Sequence, residues 1–168
     1  MARGVLAYML AILLLAAPVF AGPLPLRTGP VVLTVTGLAT ATYPDGKAEF
    51  DIAMLQALGA AEITTTSIWT KGPHTFTGVP LRKLQDYLKI EDGTLSLHAL
   101  NDYAVRMPSD AAEPDAPILA YKMDGQVMSV RDKGPIWVIY PYDAGPRYRT
   151  DTAFSRSIWQ LDRIDVLR

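Results

Sequence analysis

No cysteine occurs among the 168 residues. That absence bounds what the chain can become. No disulfide can staple it, so its fold must rest on burial of apolar side chains. No thiolate is on hand either, which removes the donor that soft metal centres use. The N-terminus sharpens the point. Arg3 precedes the apolar run Val5 to Ala17 (VLAYMLAILLLAA), Pro18 breaks that run, and Val19-Phe20-Ala21 places small residues three and one before a cut. This reads as a secretory leader, residues 1–21, cleaved after Ala21. The alternative is an uncleaved anchor, although the run falls short of the roughly 20 residues that a bilayer span requires.

Cleavage leaves about 147 residues, enough for one core of ordinary size. Sixteen basic and 17 acidic side chains nearly cancel, and no basic block occurs, so a nucleic-acid partner is not expected. Residues 22–30 (GPLPLRTGP) read as an extended lead-in, and residues 31–168 as one domain.

Within that domain Val31 to Gly37 reads as a strand, and Tyr43-Pro44-Asp45-Gly46 as a turn. Asp51 is placed to cap a short helix through Leu58. Glu62 to Trp69 is β-branched and reads as a strand. Leu81 to Leu88 repeats apolar residues at helical spacing, with Pro80 in the position of a first-turn proline. Thr94 to Ala99 and Tyr103 to Met107 alternate as half-buried strands. Residues 108–117 form a polar loop. Ile118 to Met123 is a strand or a short helix. Ile136 to Tyr140 is the most apolar strand and is expected at the centre of a sheet. Residues 141–153 read as a long loop, and Arg163 to Leu167 as a closing strand. Many short strands with two or three short helices indicate an α+β, mostly β, domain.

Taken in order, FDIAMLQAL, W-x(6)-FTGVPLRKL, NDYAVRMP, ILAYKMDGQVMSVRDKGPIWVIYP and SRSIWQLDRIDV resemble the molybdopterin-binding domain of the sulfite oxidase family. The resemblance covers about residues 31–168 and implies that family's fold in a single compact domain. Three departures bear on chemistry. The family's metal-binding cysteine falls on Thr65 or Thr66, and a neutral hydroxyl does not replace a thiolate. An arginine that helps hold the cofactor is replaced by Trp137. The lysine of a Lys-Trp pair near the C-terminus is replaced by Ile158, beside Trp159. The losses follow the metal and the anionic part of one cofactor. What remains is similar to exported pterin-binding regulators of the PruR type. That resemblance implies a pterin of neopterin or monapterin type as ligand and no metal. It also implies a periplasmic location, a non-catalytic sensing role, and a partner in the periplasmic domain of a membrane cyclic di-GMP cyclase or phosphodiesterase.

A pterin is flat, with donors and acceptors along its edge, so its pocket needs an aromatic face and a few placed polar groups. Thr65 and Thr66 are expected as a small polar wall. Trp69 and Thr70 are expected at the pocket mouth, where an indole can stack. Asn101 and Asp102 match a position where the family carries an acidic residue near the pterin, although an Asn-Asp pair is also ordinary turn chemistry. His74 and the pair Arg131 and Lys133 are further candidates; each also fits a solvated loop. Tyr148 lies with Tyr142 and Arg147 in the long loop, and one of the three is expected to touch ligand. Arg156 and Ser157 match the family's last cofactor-binding stretch. His98, Trp137 and Trp159 read as structural. No nucleophile-and-base order or paired carboxylate stands out for catalysis. The competing readings are a molybdopterin-dependent oxidoreductase with an atypical, cysteine-free site, and a ligand-free interaction domain on the same fold.

Overall fold

Period-two burial decides the strands. In β1 (Leu33–Thr36), Leu33 and Val35 are fully buried while Thr34 and Thr36 are half-buried. A computed structural model describes residues 24–40 and 42–168, so the expected leader lies outside the described residues. After β1 come β2 (Lys47–Phe50), α1 (Ile52–Ala57), β3 (Ala61–Thr65), β4 (His74–Pro80), α2 (Leu81–Leu88), β5 (Thr94–Ala99) and β6 (Ala104–Pro108). The chain continues through β7 (Ile118–Met123), β8 (Gln126–Val127), β9 (Trp137–Ile139), α3 (Asp151–Arg156) and β10 (Leu161–Leu167).

The strands form two five-stranded sheets. The first has the order β2-β1-β10-β5-β6, in which β1 and β10 run parallel and the other pairs antiparallel. The second has the order β3-β4-β7-β8, with β9 also paired to β7. Leu95 and Leu97 of the first sheet and Val79, Leu119 and Tyr121 of the second share one large core. Alternate residues of β7 and β9, namely Ile118, Ala120, Trp137 and Ile139, bury into a smaller cluster with Phe76 and Met128 on the other face of the second sheet. The strand around Ile118 is therefore apolar on both sides, which is why its sequence lacks alternation.

Local chemistry explains the helices. Asp51 caps α1 by accepting from Met54 N at 2.8 Å, and its second oxygen accepts from Thr28 N and Gly29 N at 2.9 and 2.8 Å. These backbone donors hold its carboxyl below the ordinary carboxylate range. The same side chain thus starts a helix and pins the lead-in. Helix α2 buries Leu81, Leu84, Gln85 and Leu88 on one face and ends at Lys89 in the left-handed conformation.

Four expectations are corrected. Strand β3 stops at Thr65, because Thr66 turns its backbone N–H to Asp143. Strand β4 was not anticipated, and Pro80 is its last residue and the N-cap of α2, not a first-turn residue. β9 is fully buried yet lies at a sheet edge. Its outer side bonds to an irregular segment, with Val138 N donating to Ile158 O and Leu161 N to Ile136 O, both at 2.9 Å. The expected long loop closes in α3, capped by Thr150, which accepts from Ala153 N at 3.1 Å.

Gly78 sits at the bulge where β4 meets β7, and a Cβ there would lie 2.3 Å from Leu119 O and 2.6 Å from Ala120 Cα. Both obstacles are backbone. Gly78→Ala should therefore cost about 1–3 kcal/mol of stability or more, measured by urea unfolding; an unchanged midpoint would contradict this account of the bulge.

Candidate functional site

A pocket of about 320 Å³ opens where the loop after β3, the β5–β6 turn and the end of α3 converge. That volume is at the lower end for a small-molecule site. Trp69 forms one wall. It follows a short turn in which Ser67 Oγ accepts from Trp69 N at 3.2 Å and bonds Thr70 Oγ1 at 2.7 Å. The indole meets Trp137, Tyr142, Phe154 and Trp159 at inclined angles, with centroids 5.8, 6.3, 5.9 and 5.8 Å away. Edge-to-face contacts of this kind fix a ring's orientation as well as burying it.

The second wall is the β5–β6 turn. Asp102 adopts φ 64°, and its N–H donates to Ala99 O at 2.9 Å. Asn101 Oδ1 accepts from Tyr103 N at 3.2 Å, and both Asn101 and Tyr103 face the pocket. The third wall is Phe154, Ser155, Ser157, Ile158 and Trp159. Ser157 is buried and held: its Oγ donates to Ala153 O at 2.7 Å and accepts from Tyr142 Oη at 2.6 Å, while its carbonyl accepts from Trp137 Nε1 at 3.1 Å. Burial pushes the Tyr142 hydroxyl up to about 12. Trp159, expected as core, is 37 % exposed and belongs to the pocket, whereas Trp137 is fully buried. Among the described residues no charged side chain lines the pocket. Lys133 comes near from behind, with Nζ 5.3 Å from the Trp159 ring centroid and 5.5 Å from that of Trp137.

Of the twelve residues singled out in the sequence, Trp69, Asn101 and Ser157 line this pocket, and Lys133 backs it. The others lie elsewhere. Thr65 is buried, its Oγ1 accepting from Asp143 N at 3.1 Å and donating to Thr66 O at 3.2 Å. Thr66 donates its N–H and hydroxyl to the two Asp143 oxygens at 2.6 and 2.7 Å, and Arg149 completes the knot through an ion pair with Asp143. Thr70 is engaged with Ser67, and Asp102 serves the turn. His74 Nδ1 pairs with Asp124 Oδ2 at 2.6 Å. That bond, more than the Thr75 N–H, holds the Asp124 carboxyl low. Arg131 is exposed on a 3-10 turn. Arg156 lies near the Tyr140 hydroxyl without a hydrogen bond of regular geometry. Tyr148 is buried in a separate groove, where its hydroxyl donates to Glu113 Oε2 at 2.5 Å and accepts from Arg147 Nη2 at 2.7 Å.

Sequence reasoning missed Asp143 and Arg149, and it missed Tyr103 and Phe154 as pocket walls. The only sequence signal for the knot was two opposite charges six residues apart in a long aromatic loop. The Thr66 backbone N–H, followed by the Thr66 hydroxyl and Arg149, lowers the Asp143 carboxyl from 3.8 to about 2. A carboxyl lowered on folding stabilises the protein above its unfolded value, and that contribution is lost as pH falls through the folded one. Asp143→Asn should therefore destabilise the protein at neutral pH, with the gap from wild type closing between about pH 4 and pH 2. Urea midpoints across that range check it; a gap that does not narrow would refute the assignment.

No family model matches the chain, and no curated protein matches it. Among solved structures it is similar to the sulfane dehydrogenase SoxCD from Paracoccus pantotrophus, with 14 % identity and a TM-score of 0.56, covering 80 % of this chain and 37 % of that one. At this identity the likeness is one of fold. The chain is a mostly β domain whose fold is distantly like part of that neighbour, and it spans little more than a third of that neighbour's chain.

Proposed function

We propose that this protein is a non-catalytic module that binds the flat ring of an unphosphorylated pterin, of neopterin or monapterin type, in the pocket between Trp69 and Trp159. The supporting observation is the lining itself: four aromatic side chains, the Asn101 amide and, among the described residues, no charged side chain. Such a lining suits a neutral heteroaromatic ring and offers nothing to a phosphate. Asn101 can both donate to and accept from the ring's edge.

The metal-bearing form of the cofactor that the sequence resemblance implies does not fit the donors present. The chain has no cysteine. The Thr65 hydroxyl is buried and committed to two bonds, and Asp143 and Arg149 neutralise one another beside Thr66. Among the described residues no group of three or more His, Asp or Glu is placed to hold a metal ion. Export to the periplasm is supported by the leader-like residues 1–21. The sensing role, and a partner in the periplasmic domain of a membrane cyclic di-GMP enzyme, are supported by the sequence resemblance.

Titration with neopterin and with monapterin, oxidised and reduced, should quench tryptophan fluorescence and give saturable heat. Trp69→Ala and Trp159→Ala should each weaken binding by about 10-fold or more, the scale of one aromatic–base stack. Trp159→Ala is the cleaner variant because that side chain is partly exposed. Absence of binding, or unchanged affinity in Trp159→Ala, would refute the reading. Stoichiometric molybdenum in protein from a molybdenum-replete host would favour an oxidoreductase instead.

A further inference from the structure

A second groove, of about 400 Å³, runs along the outer edge of β3 and is separate from the ring pocket. Ala61, Glu62 and Ile63 all line it. Successive strand residues point to opposite faces, so three in a row can line one groove only if it follows the strand's edge. β3 is the terminal strand of its sheet. Among the described residues, Ala61–Thr65 form backbone hydrogen bonds with β4 alone. Ahead of Thr65, which the Asp143 loop buries, its outer N–H and C=O groups are thus without a backbone partner and face the groove at Ala61–Ile63. Natural edges of this kind are usually blunted by lysine, proline or a bulge. β3 (AEITT) carries neither residue and pairs with β4 in unbroken register.

The groove is also acidic. Glu62 from the edge strand, and Glu113 and Asp115 from the loop opposite, face it, with Arg147 as the one cation among the described residues. Arg147 is already engaged, 3.4 Å from Glu113 and against the Tyr148 ring. Among the described residues Glu62 and Asp115 form no ion pair. A cationic side chain is what this lining lacks. A second copy of the same edge would instead bring carboxylates together, which disfavours self-pairing.

We propose that β3 is a docking edge for an extended segment of a partner protein, which adds a strand beside Ala61–Thr64 and places a lysine or arginine between Glu62 and Asp115. Main-chain bonds along the edge supply affinity, and the acidic groove supplies specificity. The ring pocket takes no part, so failure of pterin binding leaves this proposal standing.

The test uses the purified chain and a labelled heptapeptide of alternating threonine and valine with a central arginine. Fluorescence anisotropy should show saturable binding at or below about 1 mM. Amide hydrogen exchange should slow at residues 61–64. Methylating alternate backbone nitrogens on the peptide's pairing edge, or replacing its arginine by glutamate, should each weaken binding by about 10-fold or more. Glu62→Lys and Asp115→Lys should weaken it similarly, and Asp115 is exposed, so that variant leaves the core untouched. Four results would overturn the proposal: no binding at that concentration, equal binding of the methylated peptide, protection at the ring pocket in place of β3, or concentration-dependent dimerisation through this edge.

Discussion

The indole of Trp69 is the contact on which the arrangement turns. It packs against both hydrophobic clusters, the large one between the sheets and the small one behind β7 and β9. Four further aromatic rings lie within 6.3 Å of it, centroid to centroid. Two of those rings, Phe154 and Trp159, are also walls of the pocket. Removing the indole would therefore cost packing in two cores at once, and the pocket would lose its shape before losing any polar contact. The loop after β3 exists in its observed form because this ring has to be delivered there. The Ser67 and Thr70 hydroxyls close the turn that delivers it.

How cations are allotted decides what the pocket can hold. Arg149 neutralises Asp143, Arg147 is held between Glu113 and the Tyr148 ring, and Lys133 lies against two indoles. Each is thus engaged by a neighbouring carboxylate or ring. Surface ion pairs of this kind add little stability by themselves. None of the three cations lines the neutral, aromatic hollow. At the position expected for a metal-binding cysteine, the same economy appears. The Thr65 and Thr66 hydroxyls do not face an open space but hold the start of the loop that carries Tyr142.

Much of the fold was legible because its signals were local. The β-branched run at Val31 to Gly37, the Asp51 cap and the apolar spacing of Leu81, Leu84 and Leu88 each act within a few residues. β4 was missed for the same reason. His74 reads locally as a loop residue and Pro80 as a helix start, and only pairing with β3 on one side and β7 on the other holds the segment extended. β9 was placed at the centre of a sheet because it is wholly apolar, but apolarity reports burial and not neighbours. An irregular segment from residue 158 covers its outer side. The site was harder still. Residue types were readable, so Trp69, Asn101 and Ser157 could be named. Their partners were not, since Thr65 meets Asp143 across 78 positions and Tyr148 meets Glu113 across 35. Sequence spacing carries no trace of such contacts.

The long loop after β9 joins what would otherwise be two unrelated surfaces. Tyr142 packs on Trp69 and Phe154 at the ring pocket, and Tyr148 forms part of the acidic groove beside β3. Tyr140 lies between them, 6.4 Å from one ring and 6.3 Å from the other. Asp143 ties the same loop to the end of β3 through Thr66. A displacement of Trp69 therefore has a contiguous path of packed rings and charged hydrogen bonds to the β3 edge. Contiguity alone is not coupling, which also requires an element with two arrangements. The loop supplies the contiguity: it touches both surfaces, tied to the end of β3 through Asp143 and to the loop opposite through the Tyr148–Glu113 bond.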